Sequence, residues 1–215
     1  YIFYNDGSIP TTAATADVTI TGAGAAEYFG NALATGDMNA DGEVDLIVSA
    51  TLANTGTGRT YIFYNDGSIP TTAATADVMI TGESSGVLGA KIIVGDINAD
   101  GRGDLIVSSI AYSTNTGRTY IFYNDGSIPT TAATADVIIT GEATDDYFGK
   151  SFAIGDMNFD GKTDLIVGAD GNSLNKGRIY IYTPNDGVIT GGTTSDYFGY
   201  SLATGDLNAD GRTDL

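Results

Sequence analysis

The chain has no cysteine, no histidine and no tryptophan, and only 4 prolines in 215 residues. Without cysteine there is no disulfide and no thiol nucleophile, and without cysteine and histidine the usual zinc sites are excluded. The Ser-His-Asp and Cys-His catalytic constellations go with them. A carboxylate pair of the kind that cleaves glycosidic bonds is the formal enzyme chemistry that remains. The clustered aspartates have another use, developed below, and Asp145, Asp146 and Asp170 are expected to be solvated loop residues. We therefore read the chain as not an enzyme. Basic residues are also scarce: 9 Lys and Arg stand against 27 Asp and Glu, a formal charge of −18. Nucleic acid and anionic membrane surfaces are disfavoured as partners, because both need cationic side chains to meet them. No apolar run approaches the roughly 18 residues of a membrane span. The opening YIFYN has no initiator Met and no signal-peptide layout, as expected of a mature product or an excised piece.

What is present is repetition. YIFYNDGSIPTTAATADV occurs letter for letter at 1–18, 61–78 and 120–137, and the shorter relative YIYTPNDGVITG begins at Tyr180. Starts at 1, 61, 120 and 180 give periods of 60, 59 and 60 residues. Identity that extends into Thr71, Thr72, Ala73 and Ala74 exceeds what folding requires, and points to recent duplication or a consensus-like design.

Each period holds four short segments rich in Ile, Val, Tyr and Phe, bounded by Gly, Asn and Asp. In one unit these are 89–96, 104–110, 118–124 and 136–141. That pattern predicts strands; helical spacing is not sustained anywhere. YIFY and DLIV are apolar on consecutive residues, so both faces of those strands should be buried. The expected fold is all-β: a β-propeller of four-stranded antiparallel blades, in four repeats of about 60 residues, with a β-sandwich as the alternative. Complete blades are expected at about 23–82, 83–141 and 142–191, and a split blade from 192–215 plus 1–22. The ends could close a ring, pair with neighbouring copies head to tail, or mark a window on a longer chain.

Between the first and second segment of every unit lies the pattern D-x-N-x-D-G-x-x-D. Its copies are Asp37, Asn39, Asp41, Glu43, Asp45; Asp96, Asn98, Asp100, Arg102, Asp104; Asp156, Asn158, Asp160, Lys162, Asp164; and Asp206, Asn208, Asp210, Arg212, Asp214. Oxygens at positions 1, 3, 5 and 9 suit a hard cation, and the seventh residue (Glu43, Arg102, Lys162 or Arg212) would add its backbone carbonyl. Gly at position 6 permits the sharp turn. Calcium is expected, up to four ions, one per repeat. Magnesium is disfavoured because it keeps several waters. An EF-hand would need Glu at position 12, where Val48, Val107 and Val167 stand, so these are loops between strands. Metal-free Asx turns are the alternative reading of any single copy. Four bound ions would bring the charge from −18 to −18 + 8 = −10.

With these loops between its strands, the chain resembles the FG-GAP repeat family, the blades of integrin alpha-chain propellers and of secreted or surface proteins of prokaryotes. Tyr28-Phe29-Gly30, Tyr147-Phe148-Gly149 and Tyr197-Phe198-Gly199 carry the "FG" element. Val48-Ser49-Ala50, Val107-Ser108-Ser109 and Val167-Gly168-Ala169 stand where "GAP" falls. The second unit departs with Val87-Leu88-Gly89, and no unit keeps the proline of "GAP". The resemblance implies an extracellular or cell-surface calcium-binding module for adhesion or protein interaction. Its partner would be a protein or glycan at a surface, or copies of the chain itself. A structural subunit of a fibre or surface layer, and a non-catalytic domain of a larger secreted enzyme, are the alternatives. A partner site is expected in the loops that vary: 51–58, 111–117 and 170–177, and 23–28, 83–87, 142–147 and 192–197.

Two smaller motifs remain. Arg102-Gly103-Asp104 spells an integrin-binding tripeptide, but Asp104 falls at position 9 of a loop, so the match is read as coincidence. TTAATAD reads as a polar connector rather than an O-glycan site, and no N-x-S/T sequon occurs.

Overall fold

The computed structural model describes residues 1–83, 86–183 and 187–215. Residues 184–186 of the shortened repeat, and Ser84 and Ser85 of one variable segment, lie outside the described residues. Among the described residues twelve strands form three four-stranded antiparallel sheets, each a meander in chain order. The first sheet holds β1 (Phe29–Gly36), β2 (Asp45–Ala50), β3 (Arg59–Phe63) and β4 (Val78–Thr81). The second holds β5 (Ile92–Gly95), β6 (Asp104–Ser109), β7 (Arg118–Phe122) and β8 (Val137–Thr140). The third holds β9 (Ser151–Gly155), β10 (Asp164–Ala169), β11 (Arg178–Tyr182) and β12 (Gly187–Thr190). The register repeats as well. Ile47 faces Ala34 and Ile62, Ile106 faces Ile93 and Ile121, and Ile166 faces Ala153 and Ile181.

Consecutive apolar residues serve two interfaces, because successive side chains of a strand point to opposite faces. From β6, Leu105 and Val107 join Ile47, Ile62 and Ile80 of the first sheet. Ile106, between them in sequence, joins Leu165, Val167 and Phe148 of the third unit. The second sheet is thus covered on both sides, and all six residues of β6 are buried. Each such aliphatic side chain contributes about 1.5–3 kcal/mol on burial.

The split blade expected from the two ends is not formed. Residues of the N-terminal segment, Ile20 among them, pack with Val48, Tyr61 and Phe63 on the outer face of the first sheet. Phe198 and Leu202 of the C-terminal segment pack with Ile166 and Ile179 on the outer face of the third. The bridges within the ends are local, Ile2 with Val18 and Gly205 with Asp214. Each half-blade rests a few apolar residues on the nearest open sheet face, and three sheets stand between them. Among the described residues the result is three sheets, not four, and they do not close on themselves.

Two joints link neighbouring sheets. The glycine before each third strand bridges in parallel to the residue at the "F" position of the next unit: Gly58 to Leu88, Gly117 to Phe148, Gly177 to Phe198. Gly117 has φ +81°, and a Cβ there would collide with the backbone N and O of Phe148. The second joint uses the TTAAT connector. Thr21 N donates to Thr71 O at 3.0 Å, and Thr81 N donates to Thr130 O at 2.9 Å. Ala73 and Ala132 are buried at these joints. On the inner side β1 lies beside β5 and β5 beside β9. The Val94 side chain rests over Gly36, and Ile154 over Gly95.

Between second and third strands the chain makes a single left-handed turn in each unit. Asn54-Thr55, Ser113-Thr114-Asn115 and Ser173-Leu174-Asn175 have φ between 49° and 63°. This conformation costs roughly 1–2 kcal/mol per residue. It is offset by bonds to the next unit: Tyr147 N donates to Asn115 O at 2.8 Å, and Tyr197 N donates to Asn175 O at 2.8 Å.

Candidate functional site

The first three D-x-N-x-D-G-x-x-D loops leave a first strand and end where the second begins, Asp45, Asp104 and Asp164 being the first residues of β2, β6 and β10; the fourth is closed by the bridge between Gly205 and Asp214. The four loops share one hydrogen-bond scheme. In the first, Asp37 Oδ1 accepts from Asp41 N at 3.2 Å and Oδ2 from Gly42 N at 2.9 Å. Asn39 Oδ1 accepts from Asp41 N at 3.0 Å, and Asp41 Oδ1 from Glu43 N at 2.8 Å. The same bonds recur on Asp96, Asn98 and Asp100, on Asp156, Asn158 and Asp160, and on Asp206, Asn208 and Asp210. Gly42, Gly101, Gly161 and Gly211 take φ between +82° and +91°. The residue two before each, Ala40, Ala99, Phe159 or Ala209, is left-handed as well. The sequence pattern did not signal that second strained position.

The ninth-position aspartate is placed differently from the other three side chains. Asp45, Asp104 and Asp164 are buried, whereas Asp41, Asp100 and Asp160 are exposed. Asp104 Oδ2 accepts from Ile97 N at 2.9 Å and from Asn98 N at 3.2 Å, and Oδ1 accepts from Asn124 N at 3.0 Å. Asp45 does the same with Met38 and Asn65, Asp164 accepts from Met157 N, and Asp214 from Leu207 N. This carboxylate ties the loop to its own start and, in the first two units, to the residue beyond the third strand. Asn124 extends the tie, since its amide donates to Asp37 O of the preceding unit at 3.0 Å. The role of Asn65 and Asn124 was not foreseen; its trace in the sequence is the shared YIFYN ending.

Electrostatics separate the two kinds of carboxylate. Burial pushes the Asp45 carboxyl above the usual range; the Asn65 and Met38 N–H groups oppose this, and the charges of Asp41 and Asp37 add to it. Asp104 and Asp164 are raised by burial in the same way. For Asp37 slight burial pulls upward, but N–H groups of Gly42, Ala40, Asp41 and Asn39 outweigh it and hold the carboxyl low. The loop mouth is therefore an anionic, oxygen-only donor set, in keeping with a hard cation. Among the described residues no three acidic side chains are gathered into a cluster that could hold a metal. In each loop, then, the donors turned to the exposed side are those at positions 1, 3 and 5, and the ninth-position carboxylate faces backbone N–H groups.

The Arg102-Gly103-Asp104 tripeptide cannot present its carboxylate. Asp104 is fully buried with three backbone donors on it. Two other aspartates depart from expectation. Asp146 and Asp170, read as solvated loop residues, are buried. Asp146 Oδ2 accepts from Ala143 N at 2.9 Å and Asn172 Nδ2 at 3.0 Å. The reason is that the loops at 143–146 and 170–172 of this unit fold against each other; Gly171 N also donates to Asp146 O at 3.2 Å. Asp145 is exposed and accepts from Asn115 Nδ2 at 2.9 Å.

Comparison with known proteins agrees with this architecture. The FG-GAP repeat model matches residues 29–63, 148–182 and 198–215. The second unit, with Val87-Leu88-Gly89, lies outside those stretches. The chain is 32% identical over 168 residues to integrin alpha-PS2 of Drosophila melanogaster, covering 70% of this chain and 12% of that protein. It is 30% identical over 170 residues to integrin alpha-M of Mus musculus, covering 73% of this chain and 14% of that protein. It is 35% identical over 108 residues to the phosphatidylinositol-glycan-specific phospholipase D of Homo sapiens, covering 44% of this chain and 13% of that protein. The chain thus corresponds to a small part of each relative. From its repeated sheets, its four matching loops and these similarities, the chain belongs to the FG-GAP repeat family.

Proposed function

We propose that the chain is a calcium-binding module of β-propeller type, outside the cell or at its surface, that serves adhesion or protein interaction. The observation that carries this reading is the loop scheme repeated in all four units. In each, side-chain oxygens at positions 1, 3 and 5 are ordered by backbone N–H groups at an anionic mouth. Asp37, Asn39 and Asp41, and their counterparts, would hold the ion. The carbonyls of Glu43, Arg102, Lys162 and Arg212 and the ninth-position aspartates would complete its shell; each carboxylate oxygen has a further lone pair beyond its backbone bond. Bound calcium supplies positive charge where carboxylates otherwise repel one another. Neighbouring first strands, β1 beside β5 beside β9, are consistent with a propeller arrangement of the sheets. Likeness to integrin alpha chains supports an interaction role at the cell surface.

The phospholipase D similarity supports a second setting, a non-catalytic domain within a larger enzyme. The module would do the same work in either. The test is thermal unfolding in EDTA against 1 mM calcium chloride. A site filled at about 100 times its dissociation constant adds about 2.7 kcal/mol, so the melting temperature should rise clearly with calcium. Identical melting curves would refute the calcium reading.

A further inference from the structure

We propose that the cleft between the third and fourth units binds a neutral saccharide. This deepens the interaction-module reading and rests on it for the class of role. A cavity of about 590 Å³ is lined by Tyr147, Lys150, Asp170, Asn175, Tyr197 and Tyr200. A second cavity of about 480 Å³ shares Lys150 and Tyr200 with it. Both volumes lie within the range of small-ligand sites.

The cleft holds a buried carboxylate oxygen with no hydrogen-bond partner and a lysine outside any ion pair. Asp170 is 5% exposed, and its Oδ1 accepts no hydrogen bond. Leaving such an oxygen unpaired costs free energy that a ligand donor would restore. Among the described residues the ion pairs are Arg118–Glu83 and Arg178–Glu142, and Lys150 belongs to neither. Its ammonium stands 5.0 Å from the Tyr200 ring centre and 5.9 Å from that of Tyr147.

The aromatic walls are held in place. Tyr147 Oη accepts from Asn115 Nδ2 at 3.2 Å, and Tyr197 Oη accepts from Asn175 Nδ2 at 3.3 Å. Both asparagines sit in the left-handed turns, so those strained loops fix the rings before any ligand arrives. Tyr197 and Tyr200 remain 46% and 60% exposed, with ring surface available for stacking.

The cleft is also where the repeats stop being alike. Lys150 occupies the position held by Asn31, Ala90 and Tyr200 in the other units, and Asp170 that of Thr51 and Ile110. By contrast the connector at 1–18, 61–78 and 120–137 is identical letter for letter. The variable segments 142–147, 170–177 and 192–197 all reach this one place.

The charge balance selects the ligand class. Asp170 and Lys150 offset each other, so a basic peptide meets the lysine and an acidic one meets the aspartate within a chain of −18. An uncharged polyol suits both: its hydroxyls donate to Asp170 and accept from Lys150, and its apolar ring face rests on tyrosine.

The test uses the full chain loaded with calcium, on an array of neutral and acidic oligosaccharides beside Lys- and Arg-rich peptides. Isothermal titration with the strongest neutral glycan follows. A neutral glycan should bind, and Tyr197→Ala and Asp170→Asn should each weaken it at least tenfold without lowering the melting temperature. Tyr4→Ala, in the N-terminal segment, should leave it unchanged. The proposal is overturned if no neutral glycan binds, if the basic peptides bind in preference, or if neither cleft variant changes the affinity. A chain that melts higher in calcium yet binds no glycan would sink the cleft alone. One that binds the glycan with unchanged melting would sink the calcium reading alone.

Discussion

Replacing Gly117 by alanine isolates the joint between the second and third units. Gly117 has φ +81°, forms a parallel bridge with Phe148, and accepts from Gly141 N at 3.0 Å. A methyl group there meets the Phe148 backbone from the side, where no rotamer change can relieve it. Left-handed strain contributes about 1–2 kcal/mol, and the forced separation about 1–3 kcal/mol more, so Gly117→Ala should cost about 2–5 kcal/mol. Gly126 is the control. Its φ is +115°, with nothing within 4 Å of an added Cβ, so Gly126→Ala carries the conformational cost without the collision. Chemical denaturation of both variants gives the difference. Amide exchange locates it: Phe148 N, bonded to Thr116 O at 3.2 Å, should lose protection in Gly117→Ala, while Leu88 N, bonded to Thr57 O at 2.9 Å, should not. Equal destabilisation by the two variants, within about 0.5 kcal/mol, would mean that close backbone approach is not what joins the sheets.

Other outcomes follow from single side chains. Asp104→Ala in EDTA should destabilise by about 2 kcal/mol or more, measured by urea unfolding, because it removes the acceptor of the Ile97, Asn98 and Asn124 N–H groups, the last of them buried. Arg102→Ala should leave cell attachment unchanged, since Asp104 cannot project; lost attachment would contradict its burial. Phe148→Ala should cost about 3–5 kcal/mol but Phe148→Leu less than about 1.5 kcal/mol, as Leu88 fills the same place one unit earlier. For pH, burial raises the Asp170 carboxyl while the Lys150 charge opposes. Its stabilising contribution is complete below the unfolded value near 3.8 and is lost as pH rises through the elevated folded value. Asp170→Asn should therefore be more stable than wild type at pH 7 and converge with it near pH 4; parallel denaturation midpoints across that range would contradict the buried, unpaired placement.

The strands were legible because their signal is local. DLIV and YIFY are too short and too β-branched for helix, and burial on both faces follows from consecutive apolar residues. The loops were legible for a similar reason, since the Asx-type bonds of Asp37, Asn39 and Asp41 span five residues at most. Features that depend on the next unit were hidden. The left-handed turns at 113–115 and 173–175 are held by donors about 20 to 30 residues away, among them Tyr147 N and Tyr197 N. Asp146 and Asp170 read as loop residues until a neighbouring loop covers them. Whether half-blades meet is a matter of accumulated angle between sheets, which no short window of sequence records. The ninth-position aspartate was legible as important, while its backbone ties needed the third strand in place.

The buried second sheet has a consequence for how such a chain can grow. β6 presents Leu105 and Val107 to the unit before it and Ile106 to the unit after. The front of a unit is therefore shaped to the back of another unit like itself. A segment of this kind arrives at duplication already complementary to its own copy, so one recombination event can add a layer that needs no later adjustment. The connector identity at 71–74 and 130–133 is what such copying leaves behind where each copy must seat on its predecessor.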